Sequence, residues 1–270
     1  MSNARLQHQL VRLAIAAIVS AACGAMGCSG AQTERAPTYT EAAEEAYALA
    51  ERAFQRKDYE GARLRFMRVA QEFPYSQYAA LSEFRVADTY FVEKSYLRAI
   101  DGYRRFARSR PSHERVPEAQ FRIAESYFEQ MPGSSILLPP PHERDLSETE
   151  NAFRAMTLFV EAYPDTPFVG DAEAMLVEAR ERLANHELYV AEFYIARDNP
   201  QGAAQRAEFL VSTYPEAEGV PDALFLYARA MVELADTDEA VVTLERLIAD
   251  FPESERAASA QEWLTRHGLR

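Results

Sequence analysis

The sequence predicts an all-α chain: an α-solenoid of about five antiparallel helix pairs plus a C-terminal capping helix. Three observations predict it. Five prolines, Pro74, Pro111, Pro164, Pro215 and Pro252, mark one point of a recurring pattern. Twelve residues before each stands an alanine (Ala62, Ala99, Ala152, Ala203, Ala240), and Val69, Phe106, Phe159, Leu210 or Leu247 stands five before. No segment alternates polar and apolar residues between turn signals as a half-buried strand would.

The prolines are 37, 53, 51 and 37 residues apart. Helix pairs of the tetratricopeptide kind repeat every ~34 residues, so the outer intervals fit and the middle two carry insertions. A second constant lies upstream at Ala50, Ala87, Ala124, Ala191 and Ala228, with Ala53, Tyr90, Tyr127, Tyr194 and Met231 three residues on. Eight residues before the prolines stand Phe66, Tyr103, Met156, Ala207 and Leu244. Small residues let paired helices approach, and large ones fill the groove between pairs. The pattern is tetratricopeptide-like.

Taken in order, helices are expected at 40–56, 59–73, 77–93, 96–110, 115–130, 147–163, 168–197, 200–214, 220–235, 238–250 and 255–267. Thr40 is the expected N-cap of the first, with Glu41, Glu44 and Glu45 at its positive end. Short links such as Lys57-Asp58 require antiparallel neighbours. The first insertion, Pro132 to Leu146, carries Ile136-Leu137-Leu138 before Pro139-Pro140-Pro141 and cannot be helical throughout. Its apolar residues either meet a partner or fold back on the solenoid. The second insertion lengthens a helix, where Ala172, Met175, Leu176, Ala179 and Leu183 form a core stripe. Trp263 and Leu264 on the last helix cover the end of the stack, as a solenoid needs.

The N-terminus is expected to be a targeting segment. Arg5 and Arg12 precede an apolar run reaching Met26, too short for a comfortable span of about 20 residues. Ala25-Met26-Gly27-Cys28 ends it and resembles a bacterial lipobox, although the motif prefers leucine where Ala25 stands. On that reading residues 1–27 are a lipoprotein signal, Cys28 carries the lipid, and 28–39 are a flexible tether to a solenoid over 40–270. Its halves are 40–165 and 166–270. Cys23 is the weaker candidate for lipid attachment. Cleavage before Cys28 leaves one cysteine and no intramolecular disulfide.

Charge divides the solenoid. Residues 41–122 hold 15 Lys/Arg against 13 Asp/Glu, and residues 123–270 hold 11 against 28. Such acidity argues against nucleic acid as a partner and suits docking on a basic surface, or simple solubility. Arginines 63, 65, 68, 98, 104, 105 and 108 recur on two second helices. They read either as receivers of carboxylates from an extended peptide or as a solvated face with local ion pairs. His8, His113, His142, His186 and His267 have no metal-ligand spacing. No phosphate loop or nucleophile elbow is present, so neither an enzyme, a cofactor nor a metal is expected.

Several stretches carry a family resemblance: Phe73 to Tyr78, Arg144 to Arg154, Phe159 to Thr166, Ala179 to Ala184 and, most specific, His186-Glu-Leu-Tyr-Val-Ala-Glu-Phe-Tyr-Ile-Ala-Arg197. With the lipobox-like start they resemble the BamD-type lipoproteins of the β-barrel assembly machinery over about residues 40–254. The resemblance implies a scaffold on the periplasmic face of the outer membrane. Its C-terminal repeats would bind a BamA-type barrel subunit, with Tyr189, Glu192 and Arg197 at the contact. For Arg197, capping of the helix C-terminus is the competing reading. Its N-terminal repeats would receive unfolded outer-membrane protein segments, with Arg63, Arg104 and Arg105 as substrate-binding residues. Accessory lipoproteins are further expected partners. The proline loop and the extreme C-terminus depart from the family. A different periplasmic tetratricopeptide adaptor is the alternative function. A solenoid-guided lytic enzyme would need a catalytic domain for which no length remains.

Overall fold

The computed structural model describes residues 37–133 and 144–268. The expected signal segment, Cys23, Cys28 and Ile136–Leu138 lie outside the described residues. Every element among those described is a helix: α1 Tyr39–Gln55, α2 Tyr59–Glu72, α3 Gln77–Val92, α4 Tyr96–Ser109, α5 Val116–Phe128, α6 Ser147–Ala162, α7 Val169–Ile195, α8 Pro200–Thr213, α9 Val220–Glu233, α10 Thr237–Asp250 and α11 Glu255–Arg266. From Ala42 onward the described residues form one unit.

Within pairs one turn recurs. Lys57, Lys94, Asp198 and Ala235 have φ of 63°, 58°, 55° and 64°. At the first, the Asp58 N–H donates to the Ala53 carbonyl at 3.0 Å and the Lys57 N–H to Phe54 at 2.9 Å. This is the Schellman closure, which satisfies the last carbonyls of a helix. It recurs from Ser95 to Tyr90 (2.8 Å), Asn199 to Tyr194 (3.0 Å) and Asp236 to Met231 (2.9 Å). Asp58, Asn199 and Asp236 then cap the next helix, their side chains accepting from the N–H of Gly61, Gly202 and Glu239 at 3.0, 3.0 and 3.2 Å. A helix end and a helix start sharing one residue leave no alternative to an antiparallel pair.

Between pairs the prolines act. Phe73, Arg110, Tyr163, Tyr214 and Phe251 each end a helix with φ between −125° and −138° and ψ between 51° and 60°. The residue before proline is excluded from the α region, and proline has no N–H to continue the ladder. The chain then turns, as where the Ser76 N–H reaches the Phe73 carbonyl at 3.0 Å.

The first helix corrects one expectation. Thr38, not Thr40, supplies the cap: its Oγ1 accepts from the Glu41 N–H at 3.3 Å, and the Glu41 carboxylate accepts from the Thr38 N–H at 2.6 Å. This reciprocal capping box places Thr40 inside the helix.

The repeat positions form the core. Ala62, Ala99, Ala152, Ala203 and Ala240 are all 0 % exposed, and Phe66, Tyr103, Met156, Ala207 and Leu244 are buried beside them. Each helix from α2 onward packs on the next, and α5, α7 and α9 also touch the first helix of the following pair or, for α9, the cap α11. That contact between first helices is how solenoid pairs stack. Leu264 on α11 is fully buried, closing the core of the last pair.

Helix α7 runs 27 residues without a break, roughly 40 Å. Its first half joins the core of α5 and α6 through Ala172 and Ala179, and its second half joins that of α8 and α9 through Leu183, Ala191 and Ile195. The ends of the first insertion are tied to this region. Arg182 Nη1 donates to the Pro132 carbonyl at 2.6 Å, Arg144 donates to the Gly133 carbonyl, and Met131 and Leu146 are buried.

Candidate functional site

Two surfaces hold the residues singled out from the sequence. The first is the arginine-bearing outer side of α2 and α4. Arg63 is committed within the fold: its Nη1 donates to Glu93 Oε2 at 2.6 Å and Thr89 Oγ1 at 3.3 Å, and its guanidinium lies 4.4 Å from the Tyr90 ring centre. Arg104 is exposed and donates to the Tyr127 hydroxyl at 2.8 Å, bridging α4 to α5. Arg105 is also exposed and lines a cleft of about 640 Å³ between α2 and α4, with Met67, Val86 and Phe106 as its apolar part. The three arginines do not share a cavity.

Arg108, one of the seven arginines read as carboxylate receivers but not among the three named for substrate, borders both the Arg105 cleft and a neighbouring one that reaches Arg104. Among the described residues neither Arg105 nor Arg108 has a carboxylate within 4.0 Å. Arg65 and Arg68 instead make local pairs with Asp58 at 3.6 Å and Glu72 at 3.9 Å. Exposed pairs of this kind contribute about 0–1 kcal/mol.

A half-buried ionic chain links α1, α3 and α4. Arg85 on α3 binds both oxygens of Glu51 on α1 at 2.6 and 2.7 Å and donates to Asp88 Oδ2 at 2.9 Å. The Tyr103 hydroxyl on α4 donates to Asp88 Oδ1 at 2.6 Å. Burial raises the Asp88 carboxyl above its usual range, against the hydrogen bonds from Tyr103 and Arg85. Burial likewise raises Tyr103, and the Asp88 charge adds to it. Every polar atom of Asp88 is paired, so this chain holds α1, α3 and α4 together rather than offering a reactive group.

The second surface is the C-terminal end of α7. Tyr189, Glu192 and Phe193 lie three and four residues apart, so they share one helix face, and all are exposed. Arg197 lies just past the helix end, its guanidinium 4.7 Å from the Phe193 ring centre. Its side chain therefore stacks on an exposed aromatic. Phe193 was not singled out from the sequence; an aromatic four residues before an arginine was the available signal. Glu192 has no cation within 4.0 Å among the described residues. The opposite face of the same helix is anchored: Glu187, 8 % exposed, accepts from Arg206 Nη1 at 3.1 Å. Tyr214 nearby is pushed up to about 12, by burial first and then by the charges of Glu187 and Glu150. Among the described residues no cluster of His, Cys, Asp or Glu could hold a metal ion, and no helix is long and apolar enough to cross a membrane.

Comparison with known proteins covers the stretch of chain that holds both surfaces. A family model described as YfiO, outer membrane lipoprotein, matches residues 40–240. A curated relative, outer membrane protein assembly factor BamD of Xylella fastidiosa strain 9a5c, is 30% identical over 112 residues, 40% of this chain and 38% of the relative. The protein of the same name from Pasteurella multocida strain Pm70 is 30% identical over 122 residues, 44% of this chain and 47% of the relative. The aligned stretch thus spans less than half the length of these relatives. Among solved structures, the TPR2AB domain of yeast Sti1 in complex with a pHSP90 is similar at 14% identity and TM-score 0.39, covering 84% of this chain and 86% of that one. YrrB, a TPR protein with an unusual peptide-binding site, is similar at 15% identity and TM-score 0.33, covering 84% and 100%.

Proposed function

Because the chain belongs to the YfiO family of outer-membrane lipoproteins, we propose that it is a docking scaffold in outer-membrane protein assembly. It binds other polypeptides and performs no bond chemistry. Its C-terminal repeats dock on the periplasmic part of a BamA-type barrel subunit. Its N-terminal repeats receive unfolded outer-membrane protein segments, whose carboxylates meet Arg104 and Arg105. Accessory lipoproteins complete the assembly, and a lipid on Cys28 holds the chain to the inner leaflet of the outer membrane, facing the periplasm.

The observation that carries this reading is the exposed face of Tyr189, Glu192, Phe193 and Arg197. Exposed aromatics with an arginine are the residue types that dominate protein–protein contacts. A helix held by Glu187, Ala191 and Ile195 from behind presents them on a rigid support. Arg63 enters this reading only by exchanging Glu93 for an incoming carboxylate, and its existing pair opposes that exchange.

The experiment is affinity measurement between the full chain and the periplasmic domain of its barrel subunit. Arg197→Glu reverses a charge that makes no ion pair among the described residues, so helicity by circular dichroism stays unchanged. Binding weakens by about tenfold or more, equivalent to roughly 1.4 kcal/mol. An unchanged dissociation constant would remove Arg197 from the contact. Crosslinking in intact cells that captures division proteins in place of barrel-assembly subunits would favour a different periplasmic adaptor.

A further inference from the structure

The helix stack contains one cleft built twice. The first copy lies between α2 and α4 with α3 as its floor, and the second between α8 and α10 with α9 as its floor. Their linings correspond at a constant offset of 141 residues: Met67 with Glu208, Val86 with Tyr227, and Gly102 with Thr243. Arg105 corresponds to Arg246 in the same way.

The chemistry of the two copies is inverted. In the first, Arg105 and Arg108 stand without a carboxylate among the described residues, and the carboxylate present, Glu83, is held by Arg110 at 2.8 Å. In the second, Glu208 and Glu239 have no cation within 4.0 Å among the described residues, and the cation present, Arg246, is held by Asp250 at 3.3 Å. Glu208 and Glu239 both act on Tyr227, whose hydroxyl is raised above its ordinary range by burial first and then by the charges of Glu239, Glu208 and Asp236.

A second, independent feature points into the acidic copy. Thr243 is 5 % exposed, lines the cleft, and its hydroxyl has no hydrogen-bond partner among the described residues. At the equivalent place α4 has Gly102, where a Cβ would come within 2.7 Å of the Ala87 Cβ. Helix α10 thus brings a hydroxyl to a point where α4 brings no side chain. Carboxylates facing one cleft repel, and a cation entering the cleft relieves that repulsion and offers the Thr243 hydroxyl a donor.

The cleft encloses about 260 Å³, below the roughly 300–1,000 Å³ of ordinary small-molecule pockets and suited to one long side chain. Val211 and Leu224 give it apolar walls for an aliphatic stem. The planar guanidinium has five donors in a fork, enough for two carboxylates and a hydroxyl at once, and it stacks on a tyrosine ring where an ammonium offers only a point charge.

We propose that the cleft between α8, α9 and α10 binds an arginine side chain presented by a partner polypeptide, gripped by Glu208, Glu239 and Thr243. The site is separate from the α7 face and does not require the assembly function to hold.

The test uses the full chain and a fluorescein-labelled six-residue peptide of alanine with two arginines, followed by anisotropy at low salt. The peptide binds, and its counterpart with glutamate for arginine does not. Glu208→Gln with Glu239→Gln lowers affinity by about tenfold or more, and Thr243→Val by about threefold. Both glutamates are exposed, so the double variant folds, which circular dichroism checks. Glu161→Gln with Glu173→Gln removes the same charge elsewhere and leaves affinity near that of the parent. Equal binding by the cleft variant, or an equal loss in the control pair, would overturn the proposal in favour of diffuse attraction to an acidic surface. Self-association of the chain that the cleft variant abolishes would overturn it in favour of a second copy.

Discussion

Asp88 is 9 % exposed, yet it remains a working hydrogen-bond acceptor because two donors reach it from different helices. Tyr103→Phe removes one of them without removing the ring that packs on Phe84 at 5.2 Å. The lost bond is charge-assisted, so the variant is destabilised by about 1.5–3 kcal/mol at neutral pH. The pH dependence follows from the direction of the Asp88 shift. Its folded pKa is raised, so its favourable contribution is complete below the unfolded carboxylate value and is lost as pH rises through the folded value. Removing the Tyr103 bond raises the folded value further, widening that window. The penalty of Tyr103→Phe is therefore largest at neutral pH and shrinks on acidification through the raised Asp88 value. Urea unfolding of parent and variant at neutral and acidic pH measures it, and a penalty constant across that range would contradict the argument. None of this was legible in the sequence. Asp88 has the same letter as ten other aspartates, and its burial is decided by where α4 crosses α3. Arg63 was misleading for the same reason: its sequence context matches that of exposed Arg65 and Arg68, and Thr89, Tyr90 and Glu93, some thirty residues on, tie it down.

At the scale of the element, helix bounds were readable to within a few residues because each stop is chemical. Proline ends every second helix, and Asp58, Ser95, Asn199 and Asp236 start four of those same helices with residues suited to capping. The turn conformation itself was hidden. Left-handed closures usually announce themselves with glycine, and here the four positions are Lys, Lys, Asp and Ala. Thr40 was read as a cap in place of Thr38, although the three-residue spacing from Thr38 to Glu41 was the better signal. The turns yield a prediction. Ala235 sits at φ 64° with its side chain exposed, a conformation that costs an L-residue about 1–2 kcal/mol. Ala235→Gly removes that strain and returns part of the gain through the freer unfolded chain, for a net stabilisation of about 0.5–1 kcal/mol. Thermal unfolding shows a higher midpoint; a lower one would mean the closure from Asp236 to Met231 does not govern this turn.

For the whole molecule, the expectation divides the solenoid into an N-terminal half over 40–165 and a C-terminal half over 166–270, and the packing is continuous across that boundary. Helix α7 contributes to the core of α5 and α6 on one side and to that of α8 and α9 on the other, so one rigid element joins the two halves. The length of α7 was legible, since Val169 to Arg197 lacks an internal proline and has no glycine after Gly170. That one helix serves two cores was not, because a stripe of apolar residues does not say what covers it. Solenoid stability is a sum of repeat terms and nearest-neighbour interface terms, so a defect in a shared helix acts on cooperativity as well as on energy. Val177 lies mid-helix and is 46 % exposed, so replacing it disturbs the backbone more than the core. Val177→Pro removes a helix hydrogen bond and clashes with the preceding turn, costing about 3 kcal/mol. The unfolding transition then separates into two steps, with α8 to α11 and α2 to α6 exchanging their amide hydrogens at different rates. A single transition that merely shifts to lower temperature would show that the flanking pairs couple through contacts other than α7.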